Sequence, residues 1–152
     1  MRTLGSLALA FALLPGPAAA LSSKAGTSGA AFLKIGVGAR ALGMGGAFTA
    51  IADDVTAIAW NPAGLSKLSK RELGAMHAEL VADTRYDFIG YAQPTSYGTF
   101  AAGTVYLSQG AIEGRDAAGR PTGGFSAADT AVNLGYAARL TQSLRLGGNL
   151  KY

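Results

Sequence analysis

The sequence contains no cysteine and a single histidine, and only 14% of its 152 residues are charged. Without thiols there are no disulfides, thiolate metal sites or cysteine nucleophiles, and a lone imidazole excludes any centre that needs two. Charge lies well below the roughly one quarter usual in soluble domains. Long apolar runs are also missing. Past the first 20 residues nothing approaches the roughly eighteen consecutive apolar residues of a membrane-spanning helix, so if the chain meets a membrane, strands must do the crossing. Lysine and arginine exceed acidic residues by four, but they are scattered from Arg2 to Lys151 without a patch or stripe, which argues against nucleic acid as a partner. The sequence has neither a Gly-x-Ser-x-Gly nucleophile elbow nor a phosphate-cradling loop, and no enzymatic activity or cofactor is expected.

What is present is glycine, 22 residues of it, within a composition that is 49% hydrophobic. Residues 1–20 combine Arg2, an apolar stretch from Leu4 to Leu14, a Pro-Gly-Pro break and Ala18-Ala19-Ala20. That layout predicts a signal peptide cleaved after Ala20.

Residues 21–69 carry helical rather than alternating apolar spacing. Ser28 is placed to cap a short helix through Ala31, Phe32, Leu33 and Ile35 that ends at Gly36. A second helix is expected where Asp53 or Asp54 offers a carboxylate to first-turn amides, Val55, Ile58 and Ala59 supply a stripe, and Asn61-Pro62 forces the exit. Between them GVGARALGMGG has five glycines that allow backbone to approach backbone. Gly36-Val37-Gly38-Ala39-Arg40-Ala41 matches a relaxed dinucleotide fingerprint, but Gly43, Gly45 and Gly46 break the helix it needs and no βα alternation follows. Adjacent Asp53 and Asp54 read as a cap and an ion-pair partner rather than a metal or acid/base pair, with Arg40 the expected cation. No metal ligands are assigned; Glu113 and Asp116 read as solvated loop charge, and His77, beside Glu79 on one strand face, as an ordinary lumen or surface residue.

From residue 70 the period changes to two. Leu144, Leu146, Gly148, Leu150 and Tyr152 alternate with Arg145, Gly147, Asn149 and Lys151. Val132, Leu134, Tyr136 and Ala138 alternate likewise with Ala131, Asn133, Gly135 and Ala137. Further strands are expected at about 72–80, 85–93 and 98–108, five in all. The turns at Pro94-Thr95-Ser96 and Thr141-Gln142 are tight, whereas 109–126 reads as a long, Gly-rich, charged loop. Short turns at one end and long loops at the other, with ten-residue segments oily on one face, predict a transmembrane antiparallel outer-membrane β-barrel. It is all-β, incomplete at about five strands, and preceded by a small helical or irregular plug. A soluble β-sandwich, a secreted binding module, is the rival.

The segment FLKIGVGARALGMGGAFTAIADDVTAIAWNPAGL at 32–65, with RYDFIGY at 85–91 and YLSQGAIEG at 106–114, resembles the PorV/PorQ family of outer-membrane proteins, relatives of the FadL-type barrels. The resemblance implies a plug holding Arg40, Asp53, Asp54, Asn61, Pro62 and Gly64 inside a barrel of about fourteen strands. Arg145, Asn149 and Lys151 would then face the lumen. It further implies a cell outer-membrane location, lipid as a partner, and a role in type IX-like protein secretion with secreted cargo, or else uptake of hydrophobic small molecules. Five strands cannot close a single-chain barrel, so the chain is expected to be an N-terminal fragment, or one of several copies that together build the barrel.

Overall fold

The computed structural model describes residues 30–152. The expected signal peptide and the capping role of Ser28 lie outside the described residues. Five strands form one antiparallel sheet in sequential order: β1 (Glu72–Glu79), β2 (Thr84–Thr95), β3 (Gly98–Arg115), β4 (Pro121–Arg139) and β5 (Arg145–Lys151). The class is all-β with few helices. The sheet is open rather than closed into a barrel, and among the described residues β1 and β5 each pair on one side only.

The residues before β1 form a small cap of short turns lying on one face of this sheet. It contains a 3-10 turn (Ala31–Lys34), helix α1 (Ala39–Gly43), helix α2 (Ala57–Trp60) and a second 3-10 helix (Pro62–Lys67). The four-residue α2 does not begin on an aspartate: Asp54 Oδ1 accepts from the Thr56 amide at 2.8 Å, while Thr56 occupies the cap position and its side chain bonds no first-turn amide. The exit at Asn61-Pro62 is as expected. Asn61 Oδ1 accepts from the Ala63 amide at 3.2 Å, and proline occupies the first turn of the 3-10 helix, where no amide hydrogen is needed.

The region 109–126 is not a loop. Strands β3 and β4 continue past the β1–β2 turn as a long hairpin whose chain reverses only over residues 116–120. A register shift between Gln109 and Ile112 absorbs the glycine-rich stretch as a bulge while the ladder goes on satisfying backbone amides. Asp116 Oδ1 then holds the reversal, accepting from the Ala118 and Arg120 amides at 2.9 Å each. Glycine and charge were read as loop signals, and here they serve the bulge and the turn. The short β1–β2 link is likewise a tight turn, with Ala82 and Asp83 both at positive φ.

The core lies between cap and sheet. Val37, Phe48, Val55, Ile58 and Leu65 from the cap pack on Tyr86 and Phe88 of β2, Val105 of β3 and Ala137 of β4. Phe48 meets Trp60 edge-on with centroids 6.1 Å apart. The inner face of the sheet is small where the cap presses closest, since a Cβ on Gly147 would come within 2.4 Å of the Ala63 amide nitrogen; within the cap itself, one on Gly64 would come within 2.4 Å of the Ala52 carbonyl oxygen. Backbone has no way to yield to such a contact. Gly64→Ala and Gly147→Ala are therefore each expected to destabilise the full-length protein by about 1–3 kcal/mol. Gly148→Ala, where an added Cβ meets nothing within 4 Å, should stay within about 0.5 kcal/mol of the parent. Denaturant titration of the three variants side by side checks this.

Candidate functional site

The polar groups the sequence singles out fall into separate sets, the first of them inside the cap. Turns after α1 bring Arg40 to the start of the Asp53-Asp54 pair. Arg40 Nη1 donates to Asp53 Oδ1 at 2.6 Å and lies 3.8 Å from Asp54 Oδ2. The guanidinium also sits 5.2 Å from the centre of the Phe48 ring, a cation–π contact that roofs the core. The hydrogen bond from Arg40 to Asp53, and next the charge of that carboxylate, raise the Arg40 pKa above its ordinary value. Arg40 is thus cationic across the whole accessible range. Side chains on both sides of the pair are about half exposed, at 53% and 45%, so the pair aligns the cap more than it stabilises the fold. Asp54 is engaged separately, accepting from both the amide and the hydroxyl of Thr56.

Further bonds attach the cap to the strands. Asn149 Nδ2 donates to the Ile58 carbonyl at 2.6 Å across 91 residues of sequence. Glu72 of β1 accepts from the Val55 amide at 3.0 Å, the role expected of the aspartates. Tyr86 donates its hydroxyl to the Ile35 carbonyl at 2.9 Å, while within the cap Trp60 Nε1 donates to the Val37 carbonyl at 2.7 Å. Sequence reading missed Glu72, Tyr86 and Trp60 because alternation alone does not tell which polar atom of a strand will find an orphan backbone group. Each does occupy the inner phase of its strand or the apolar stripe of its turn, which is the available signal.

Arg145, Asn149 and Lys151 all lie on the cap-facing side of β5, as their phase predicts. Lys151 borders a cleft between cap and wall together with Lys34, Trp60, Tyr86 and Asn133. The cleft measures about 80 Å³, the space of two or three water molecules and far below the roughly 300–1,000 Å³ of small-molecule pockets. Asn133 is 2% exposed, and its Oδ1 has no hydrogen-bond partner among the described residues. His77 is on the opposite, outer face, where Nδ1 is 2.6 Å from Asp87 Oδ1 and Glu79 is 4.0 Å away. Glu113 pairs with Arg115 at 3.0 Å and Asp116 with Arg120 at 3.1 Å. Among the described residues no group of three or more His, Asp or Glu side chains converges on a point where a metal ion would sit.

A family model described as "Uncharacterised protein family (UPF0164)" matches residues 14–152. The chain belongs to the UPF0164 family. It is 36% identical to a UPF0164 protein of Treponema pallidum (strain Nichols), an alignment that covers 62% of this chain and 27% of that relative. The chain thus spans about a quarter of the length of the curated relative it matches. No solved structure matches it. This assignment overturns the resemblance to the PorV/PorQ family and the FadL-type barrels. The residues that carried the resemblance, 32–65, are the glycines, small side chains and Asn-Pro exit that a cap needs to lie closely on a sheet. They report a packing requirement and do not discriminate between families.

Asn149→Ala should cost about 0.5–1.5 kcal/mol for the lost bond to Ile58 and should speed hydrogen exchange at residues 57–60 before the strands are affected. A double-mutant cycle on Arg40 and Asp53 should give a small favourable coupling that disappears in about 1 M salt, where the screening length falls to about 3 Å.

Proposed function

We propose that the UPF0164 chain builds part of the wall of an outer-membrane β-barrel, with the N-terminal cap as a plug against the lumenal face, and that the protein has a non-enzymatic transport role there. The observation that carries this reading is the asymmetry of the sheet. On the outer face, Ile89, Phe100, Val132, Leu134, Leu146 and Leu150 are all exposed, Leu150 at 70%. From Ala128 to Ala138 the outer positions of β4 are Ala, Thr, Val, Leu, Tyr and Ala, with no charge. Ten steps at about 3.3 Å make about 33 Å of strand, which at a tilt of roughly 40° spans the roughly 25 Å apolar band of such barrels.

The inner face supports the same reading from the other side. Arg40 with its aspartates, Asn133, Asn149 and Lys151 lie there, and polar or charged groups next to a water-filled bore lose less solvation than in a dry core. The two edge strands each pair on one side, which leaves both free to pair with further strands of a barrel wall. Secreted proteins as cargo had the overturned resemblance as their ground, so the proposal stops at transport. The substance carried is left to experiment.

Val132→Arg distinguishes a lipid-facing wall from a soluble sheet. At the midplane of a bilayer an outward arginine costs about 2–4 kcal/mol, measurable as reduced folding of the full-length protein into vesicles. On a soluble sheet the same exposed position would tolerate arginine within about 0.5 kcal/mol. Recovery of the full-length protein from the periplasm without detergent would overturn the proposal.

A further inference from the structure

The outer face is not uniform along the strands. Near the β2–β3 turn, Phe100 of β3 and Tyr136 of β4 are direct cross-strand partners whose rings meet at 4.9 Å, forming a ridge. The Tyr136 hydroxyl points along the strand to the turn and donates to the Tyr97 carbonyl at 2.6 Å; the Tyr91 hydroxyl donates to Gln93 Oε1 at 2.9 Å. Tyr97 itself is 83% exposed at the turn. Polar tips thus face the end of the sheet and ring bodies face its middle, the orientation that aromatic side chains take at a membrane–water boundary.

An open trough flanks the ridge on each side. One, of about 380 Å³, runs between Tyr91 and Phe100 over Ala102 and ends at Gln93. The other, of about 480 Å³, runs between Tyr136 and Leu150 over Gly148. Both are open to solvent and lined mainly by apolar surface.

Charge is distributed to match. At the end of the sheet where the ridge lies, Lys70 and Arg71 immediately precede β1, and Arg139 and Arg145 close the β4–β5 turn. The one acidic residue at that end in the described strands, Glu72, is occupied by the Val55 amide. The opposite end is mixed: Glu79, Asp83, Asp87, Glu113, Asp116 and Asp129 lie there with Arg85, Arg115, Arg120 and Lys151, and Glu113 and Asp116 are paired with Arg115 and Arg120.

From this geometry we infer a binding site for one anionic phospholipid, resting on the membrane reading above. Its two acyl chains lie in the troughs astride the Phe100–Tyr136 ridge, and its phosphate meets the basic residues Lys70 and Arg71. The β2–β3 turn then marks one boundary of the bilayer, and the β3–β4 hairpin projects beyond the other.

The test uses the full-length protein folded into vesicles of equal phosphatidylglycerol and phosphatidylcholine, extracted in mild detergent, with retained lipids identified by native mass spectrometry. Phosphatidylglycerol should be retained in preference to phosphatidylcholine. Replacing Lys70 and Arg71 by glutamine should lower that preference by about fivefold per charge while leaving insertion intact. Gly148→Leu fills the second trough from a position where an added Cβ meets nothing within 4 Å, so it should fold normally yet lose the retained lipid. Retention in the proportions of the vesicle, or a Gly148→Leu protein that keeps its lipid, would overturn the site. Failure of the parent protein to enter vesicles at all would instead refute the membrane reading on which the site rests.

Discussion

The close approach of the cap to the inner face of the sheet sets the terms for everything else in this chain. Backbone meets backbone across the two layers at Gly147 and Ala63, and within the cap at Gly64 and Ala52, and Asn149 donates to Ile58 directly beside the first of these contacts. A methyl group on Gly147 would push the two layers apart and leave the Ile58 carbonyl without its donor, and one on Gly64 would spread the cap itself. Once the layers are fixed at this distance, Val55, Ile58 and Leu65 fill the space above the strands, and the apolar residues of the opposite strand phase are left on the outside. The exposed face is thus a consequence of where the cap sits.

That dependence explains which parts of the fold were legible in the sequence. Period-two alternation in 131–138 and 144–152 fixes the faces of β4 and β5, because a one-residue slip would exchange Leu146 and Leu150 for Arg145 and Asn149. Strand β2 was less distinct, since Tyr86 and Phe88 on one face oppose Ile89 and Tyr91 on the other. Both faces are apolar for different reasons: one touches the cap core, and the other is exposed. No single-strand pattern separates those two causes. The hairpin over 109–126 was illegible for a related reason, as glycine weakens strand propensity locally while pairing with a neighbouring strand restores it.

The candidate site shows the same division. Arg40 could be matched to Asp53 because a small, weakly charged cap offers few partners, and 13 residues of turn-rich chain are easily folded back on themselves. The partners of Ile35, Val37, Val55 and Ile58 could not be matched. Each is a backbone group left over where a short turn ends, and each is satisfied by a side chain distant in sequence: Tyr86, Trp60, Glu72 and Asn149. Short helices leave a large share of their amides and carbonyls unpaired. A cap made of four- and five-residue turns therefore draws its hydrogen bonds from whatever it lies on, and it has little means of holding this shape without the sheet.

The converse also holds for the sheet. An open meander with one small, glycine-rich face and one oily face has no reason to persist alone in water, since neither face buries enough apolar surface by itself. The cap covers the inner side of β2 through β5 and supplies that burial. On the outer side, large exposed apolar patches mark surfaces that meet another phase or partner, and here the patch is continuous across strands and free of charge on β4 and β5. A protein layer packed on that face would have to accommodate the Phe100–Tyr136 ridge and the open troughs beside it with matching side chains. Flexible hydrocarbon chains fit an irregular surface of this kind without such matching. On the membrane reading proposed above, lipid is the covering that asks least of the sequence, and it joins the ridge to the basic residues at its end of the sheet.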